Sequence, residues 1–181
     1  MRASKPPLQD PKTFSNLFDR TQIVIFRFIY GMHGGPIEEV EDLTCDTFMR
    51  AWKGRSHFFG DDHDALCWLF TIARHLVIDA HRRKKSYPES THIRLDDIDI
   101  GSNNISPQVA PEEQVSNREQ SIHLWRILQN FSDDKREMLV LRYMLGWRVT
   151  EIARHLHKDE NTISVSIRRC LQQIRRDWSD D

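Results

Sequence analysis

The chain has 181 residues, 26 Lys and Arg against 27 Asp and Glu, 39 % apolar residues and a mean hydropathy of −0.61. That is enough for one ordinary domain or two small ones, and the composition excludes a disulfide-stapled mini-protein and a disordered chain. No apolar run reaches the roughly 20 residues of a membrane span, and the first twenty residues lack the apolar stretch of a secretory signal.

In chain order, Phe14, Leu17, Phe18, Ile25, Phe28 and Ile29 recur at helical spacing, and Gly31 with Gly34-Gly35 is expected to stop that helix. Pro36 opens a second helix, with Glu38, Glu39, Glu41 and Asp42 in its first turns, where the helix dipole favours acids. Its stripe is Val40, Leu43, Thr47, Phe48, Ala51 and Trp52. A polar loop, Lys53 to Asp64, carries Phe58-Phe59. The longest helix follows, with Ala65, Trp68, Leu69, Ile72, Ala73, Leu76, Val77 and Ala80 on one face, and it ends in His81-Arg82-Arg83-Lys84-Lys85. From Ser86 to Ala110 the periodicity vanishes in a Pro-containing stretch with Asp96-Asp97-Ile98-Asp99, which reads as a flexible acidic linker. Helices resume at Pro111, carrying Val115, Ile122, Trp125 and Leu128. Ser132 caps the next one, which contains Met138, Leu141, Tyr143 and Leu145 and ends at Gly146. The fold class is therefore all-α, with two small helical domains at 1–85 and 111–181 joined by the linker 86–110.

The near-zero net charge conceals a partition. Residues 1–85 and 121–181 each carry a balance of +2, whereas 86–120 carry −5. Within the outer blocks the cations cluster, in the 81–85 run and in Arg168, Arg169, Arg175 and Arg176. Such clusters are the footprint of nucleic-acid binding, although cations also favour helix C-termini through the dipole.

Thr150 can cap a short helix with Ile152, Ala153 and Leu156 inward, and Asp159 can cap another with Ile163, Ile167, Cys170, Leu171 and Ile174 inward. Two short helices with a three- or four-residue turn, and a small residue where they cross, form the helix-turn-helix pattern. The second helix then presents Asn161, Thr162, Val165, Arg168, Arg169, Gln172 and Arg176, a set of cations, amides and a small apolar contact suited to a major groove. In the first block, His57, Phe58, Phe59 and Trp68 stand beside Arg74, His75, Asp79, Arg82 and Arg83. Aromatics interleaved with cations suit unstacked single-stranded bases, while the competing reading packs the same rings into the core.

Catalytic readings find little support. There is no HExxH, CxxC, GxSxG, GxGxxG or Walker-type loop; His155 and His157, two apart, would point to different helix faces, and His57 and His63 fall in a loop. No metal, cofactor, catalytic residue or small-molecule substrate is expected, and the chain is read as a cytoplasmic non-enzyme.

The residues EDLTCDTFMRAW (41–52), WLFTIARHLVIDAHRRKK (68–85) and the helix-turn-helix at 150–176 resemble, in that order, regions 2.2, 2.3–2.4 and 4.2 of bacterial sigma factors, and the layout resembles the extracytoplasmic-function group. The resemblance implies that Glu41, Asp42, Asp46 and Arg50 dock on the β′ clamp helices of core RNA polymerase. It implies that residues from His57 to Arg83 melt the −10 element of promoter DNA and hold a flipped base. It further implies that Asn161 to Arg176 read the −35 element while the preceding apolar helix meets the β flap, and it admits an anti-sigma factor as a partner. The stand-alone alternative, a helix-turn-helix regulator acting without polymerase, would leave the first block without a task. The chain departs from the family in Cys45-Asp46, where Gln before an acid is usual; in Leu156-His157-Lys158, where the turn usually reads Leu-Gly-Ile; and in Ser164 and Ser166, where basic residues are frequent.

Overall fold

The computed structural model describes residues 8–86 and 123–179. The linker expected from Ser86, beyond that residue itself, and the helix expected from Pro111 with Val115 and Ile122 lie outside the described residues. Those described form two compact helical units, with no strand among them.

The first unit contains α1 (Pro11–His33), α2 (Ile37–Gly54) and α3 (Asp62–Ser86). Asp10 starts α1 by accepting the Thr13 N–H and hydroxyl, both at 3.0 Å. Gly31 does not stop this helix: it is buried within it, and the chain leaves the helix only after His33, where Gly34 takes φ 58°. Leu17, Ile25, Phe28, Ile29 and Met32 of α1 are buried, as are Val40, Phe48 and Ala51 of α2 and Leu69, Ala73, Leu76 and Val77 of α3. Phe70, absent from the expected stripe, is buried too and meets the Phe28 ring at 4.6 Å between centroids. Full burial of one such side chain is worth about 1.5–3 kcal/mol. The buried hydroxyls of Thr21 and Thr47 donate to the carbonyls of Leu17 and Leu43, each at 2.7 Å, so neither is left unsatisfied. Phe18 and Trp52, expected inward, are partly exposed and instead meet Phe48 and Phe14 edge-on at 4.7 and 5.1 Å.

In the second unit the described residues open with helix α4 (residues 123–129), followed by α5 (Asp133–Leu139), which runs into a wider π-helical turn over Val140–Met144. Gly146 at φ 71° ends it, in a conformation that an L side chain rarely adopts. Then come α6 (Val149–His155) and α7 (Glu160–Ser179). The cap of α6 is Arg148 rather than Thr150; its N–H donates to the Glu151 carboxylate at 2.7 Å, and Thr150 lies inside the first turn. Met138, Leu141, Ile152, Ala153, Ile163, Ile167 and Cys170 make the core, and Tyr143 faces outward.

Candidate nucleic-acid and protein interfaces

The outward face of α2 is acidic. Glu41, Asp42 and Arg50 are exposed and Asp46 is half-buried, with Met49 more than half exposed among them. The four sequence-selected residues thus share one helix surface, because positions 42, 46 and 50 recur every fourth residue.

After α2 a single 3₁₀ turn, Arg55–His57, carries the chain into the loop that precedes α3. The Arg55 guanidinium lies over the Trp52 ring, 3.5 Å from its centroid, and donates to the Trp52 carbonyl at 2.5 Å. The two adjacent phenylalanines part company here. Phe58 stacks on Trp68 at 5.1 Å and is half-buried, whereas Phe59 is 85 % exposed. Gly60 makes the next step possible: a Cβ there would lie 2.6 Å from that of Asp64. Asp61 and Asp64 form a reciprocal cap. Asp61 accepts the N–H groups of His63 and Asp64 at 2.9 and 3.0 Å, and Asp64 accepts that of Asp61 at 3.0 Å. These backbone hydrogen bonds, that from Asp64 foremost, hold the Asp61 carboxyl below its ordinary range. His63 sits in the first turn of α3, not in the loop, with its Nε2 3.6 Å from Cys67 Sγ. Along α3, His75, Asp79, Arg82 and Arg83 are exposed on one face and Arg74 is half-buried beside it. His57 is exposed in the 3₁₀ turn. The structure therefore puts an unburied aromatic ring, Phe59, just ahead of the N-terminus of α3, whose exposed arginines Arg82 and Arg83 lie in its last turns.

In the second unit α7 follows α6 across the four-residue turn 156–159. Asp159 caps α7, accepting the Thr162 N–H at 2.8 Å as well as its hydroxyl. The Thr162 side chain and then its N–H draw the carboxyl below its usual range. Asn161, Thr162, Arg168, Arg169, Gln172 and Arg176 are exposed on α7 and Val165 is half-buried, opposite the buried Ile163, Ile167 and Cys170. All seven sequence-selected residues thus stand away from the core that holds the helix.

Three buried polar groups escape a periodicity reading, because a charged residue between apolar ones looks like a solvated face. Arg136, 4 % exposed, donates to the carbonyls of Leu128, Gln129 and Phe131 at 3.1, 3.2 and 3.1 Å, so it closes the end of α4. Glu137, at 1 %, meets His155 of α6 at 2.9 Å. In the first unit buried His33 bonds Glu39 at 2.7 Å, and Lys84 reaches the same carboxylate at 2.6 Å. Glu39 thereby ties the ends of three helices. Among the described residues no group of three His, Cys, Asp or Glu is placed to hold a metal ion, and no helix is long and apolar enough to cross a membrane.

Comparison with known proteins adds two family matches, Sigma-70 region 2 over residues 17–87 and Sigma-70 region 4 over residues 123–174. The chain is 30 % identical over 168 residues to the ECF RNA polymerase sigma factor BldN of Streptomyces coelicolor, covering 93 % of this chain but 61 % of BldN. It is 26 % identical over 173 residues to the ECF RNA polymerase sigma factor SigW of Bacillus subtilis, covering 94 % of this chain and 91 % of SigW. Its fold is similar to that of the sigma factor RpoE in complex with the anti-sigma factor NepR from Bartonella quintana, with a TM-score of 0.62 at 22 % identity, covering 94 % of this chain and 99 % of that one.

Proposed function

From the premise that this chain belongs to the sigma-70 family of RNA polymerase sigma factors, in its ECF group, we propose that it brings core RNA polymerase to a subset of promoters and starts strand opening there. The polymerase performs the chemistry; this chain supplies recognition and acts in the cytoplasm. The observation that carries the reading is the pairing, in one chain, of an exposed Phe59 ahead of α3 and exposed cations along that helix with the exposed cation and amide face of α7. A duplex-binding regulator needs the second and has no use for the first.

Each residue set then has a task. Glu41, Asp42, Asp46 and Arg50 dock on the β′ clamp helices, where an acidic helix face meets basic partners. Phe59 and His57, ahead of α3, and Arg74, His75, Asp79, Arg82 and Arg83, strung along it, capture unstacked bases of the −10 element by ring stacking and phosphate contact. Phe58 serves from behind, as the ring that fixes Trp68. Asn161, Thr162, Val165, Arg168, Arg169, Gln172 and Arg176 read the −35 element in the major groove, and the α5 helix before them meets the β flap. The functional division runs as 1–85, 86–110 and 111–181, with the acidic linker spanning the two DNA-reading units. An anti-sigma factor, of the kind bound to the RpoE neighbour, regulates the chain by covering these surfaces.

The test is transcription from fragmented host DNA by purified core polymerase with and without the chain, mapping RNA 5′ ends. New start sites that share two spaced upstream motifs are the expected result. If no new starts appear while the chain alone retards duplex DNA, the proposal fails in favour of a polymerase-independent regulator.

A further inference from the structure

Phe59 faces solvent, yet the backbone on both sides of it is fastened. On the N-terminal side the Phe58 N–H donates to the Arg55 carbonyl at 3.3 Å, and the Phe58 ring stacks on Trp68 at 5.1 Å. Arg55 itself lies over the Trp52 ring of α2. On the C-terminal side Asp64 Oδ2 accepts the Asp61 N–H at 3.0 Å, while Asp61 Oδ1 accepts the N–H groups of His63 and Asp64. One residue further, Asp62 meets Arg20 of α1 at 2.9 Å. Residues 58–61 join the 3₁₀ turn to α3, so this short span is held from both ends.

Gly60 belongs to the same brace. A Cβ there would lie 2.6 Å from the Asp64 Cβ and 2.8 Å from Oδ2, the oxygen that accepts the Asp61 N–H. Backbone and carboxylate close on each other because residue 60 has no side chain, and a larger residue would push the capping oxygen away. A capping box often has an apolar side chain just before the cap, packed back on the first turns of the helix. Here glycine takes that place, and the apolar ring stands one residue earlier, in solvent.

We propose that Asp64 is a positioning residue for base capture: through the Asp61 N–H and the Gly60 contact it fixes the backbone that carries Phe59. The ring then meets an unstacked base without its loop first having to be ordered. The inference rests on the reading above in which Phe59 stacks on a −10 base. Ordering a loop during binding subtracts from affinity, and a loop ordered beforehand avoids that loss. Asp64 acts through Phe59 and makes no DNA contact of its own.

The experiment uses the full chain assembled with core polymerase. The probe is a short single strand bearing the downstream of the two motifs shared by the mapped start sites, with a scrambled strand as control. Asp64→Ala removes the acceptor and is expected to weaken capture of the motif strand about fivefold. Asp64→Asn keeps an acceptor oxygen and should restore most of the loss. Gly60→Ala crowds the same carboxylate and should resemble Asp64→Ala. The deciding measurement is a double-mutant cycle: in a Phe59→Ala background, Asp64→Ala should cost nothing further. An equal loss in that background overturns the positioning role and leaves the −10 reading intact. So does undiminished capture by Asp64→Ala when hydrogen exchange shows its Asp61 amide opened. Equal capture of the motif and scrambled strands by the parent overturns the −10 reading, and this proposal with it.

Discussion

Two neighbouring phenylalanines show what a single side chain can be asked to do. Phe58 has a stacking partner in Trp68; Phe59, one residue on, faces solvent. Phe58→Ala should therefore lower stability by about 1–2 kcal/mol, since it removes the ring stack and part of a buried surface. Phe59→Ala should leave the thermal midpoint unchanged yet weaken capture of single-stranded −10 DNA by polymerase carrying the chain by about tenfold, because one base–ring stack is worth about 1–3 kcal/mol. Equal loss of stability in both variants would place Phe59 in the fold and not in the site. His33 makes a second case. Burial foremost pushes its pKa below 6.5, with the Lys84 charge acting the same way and Glu39 in opposition. Neutral His33 donates from Nε2 to Glu39, which leaves the buried Nδ1 as a bare acceptor. Below pH 6.5 the unfolded chain takes up a proton that the folded chain resists, so this contribution is complete above pH 6.5 and shrinks as pH falls towards the lower native value. Glu39 acts in a lower window: burial raises its pKa, but Lys84 and His33 together hold it below 4.5, so its contribution fades only as pH falls below that. Thermal midpoints measured from about pH 7.5 to about pH 5 should fall, and should fall less in His33→Gln, which keeps a donor and does not titrate. An identical acid slope in that variant would move the cause elsewhere.

Helices are the most legible part of the sequence, and their ends the least. Apolar positions three and four apart place α1, α2, α3, α6 and α7, because a buried stripe must recur at the helical period whatever the function. Gly31 reads as a terminator in sequence because a glycine inside a helix and one beyond it look alike; only packing, which buries Gly31, separates them. The start of α6 slips because Thr150 is a good capping residue by type, whereas the cap observed is closed by the Glu151 carboxylate on the Arg148 N–H. The exposed cation and amide face of α7 follows directly from its own buried stripe. Phe58 and Phe59 are indistinguishable in sequence, since an irregular loop has no period to say which ring turns inward. Arg136 is wholly hidden there: it is one charge in Asp133-Asp134-Lys135-Arg136-Glu137, and only the fold shows it filling the three carbonyls at the end of α4. Arg136→Met should destabilise the second unit by about 3 kcal/mol or more, since it strands several buried acceptors at once. Arg136→Lys should recover little, because one ammonium cannot reproduce the planar fork. Hydrogen exchange of the α4 and α5 amides in urea reads this within the second unit, and full rescue by lysine would contradict the brace.

At the scale of the molecule, the two units expose surfaces of different charge, and the proposed function divides the work between them. The acidic face of α2 and the basic face of α7 lie in separate compact units, so each can be disabled without unfolding the other. Arg168 and Arg169 are exposed and no described core packing depends on them, so Arg168→Ala with Arg169→Ala should cost little stability. The double variant should lose preference for the −35 motif while co-eluting with core polymerase as the parent does. Charge reversal of Glu41 and Asp42 should do the opposite, abolishing co-elution while the second unit keeps its fold. Salt separates the two effects further. Removing one cation from a backbone phosphate should reduce the slope of log affinity against log salt by about 0.9, so the double Arg variant should bind promoter with a slope shallower by nearly two. The proposed contact of α2 with polymerase involves no condensed DNA counterions, so charge reversal of Glu41 and Asp42 is expected to weaken assembly without that change in salt slope. If removing the two arginines weakened polymerase binding as much as promoter binding, the two units would share a surface and the division of labour would be wrong.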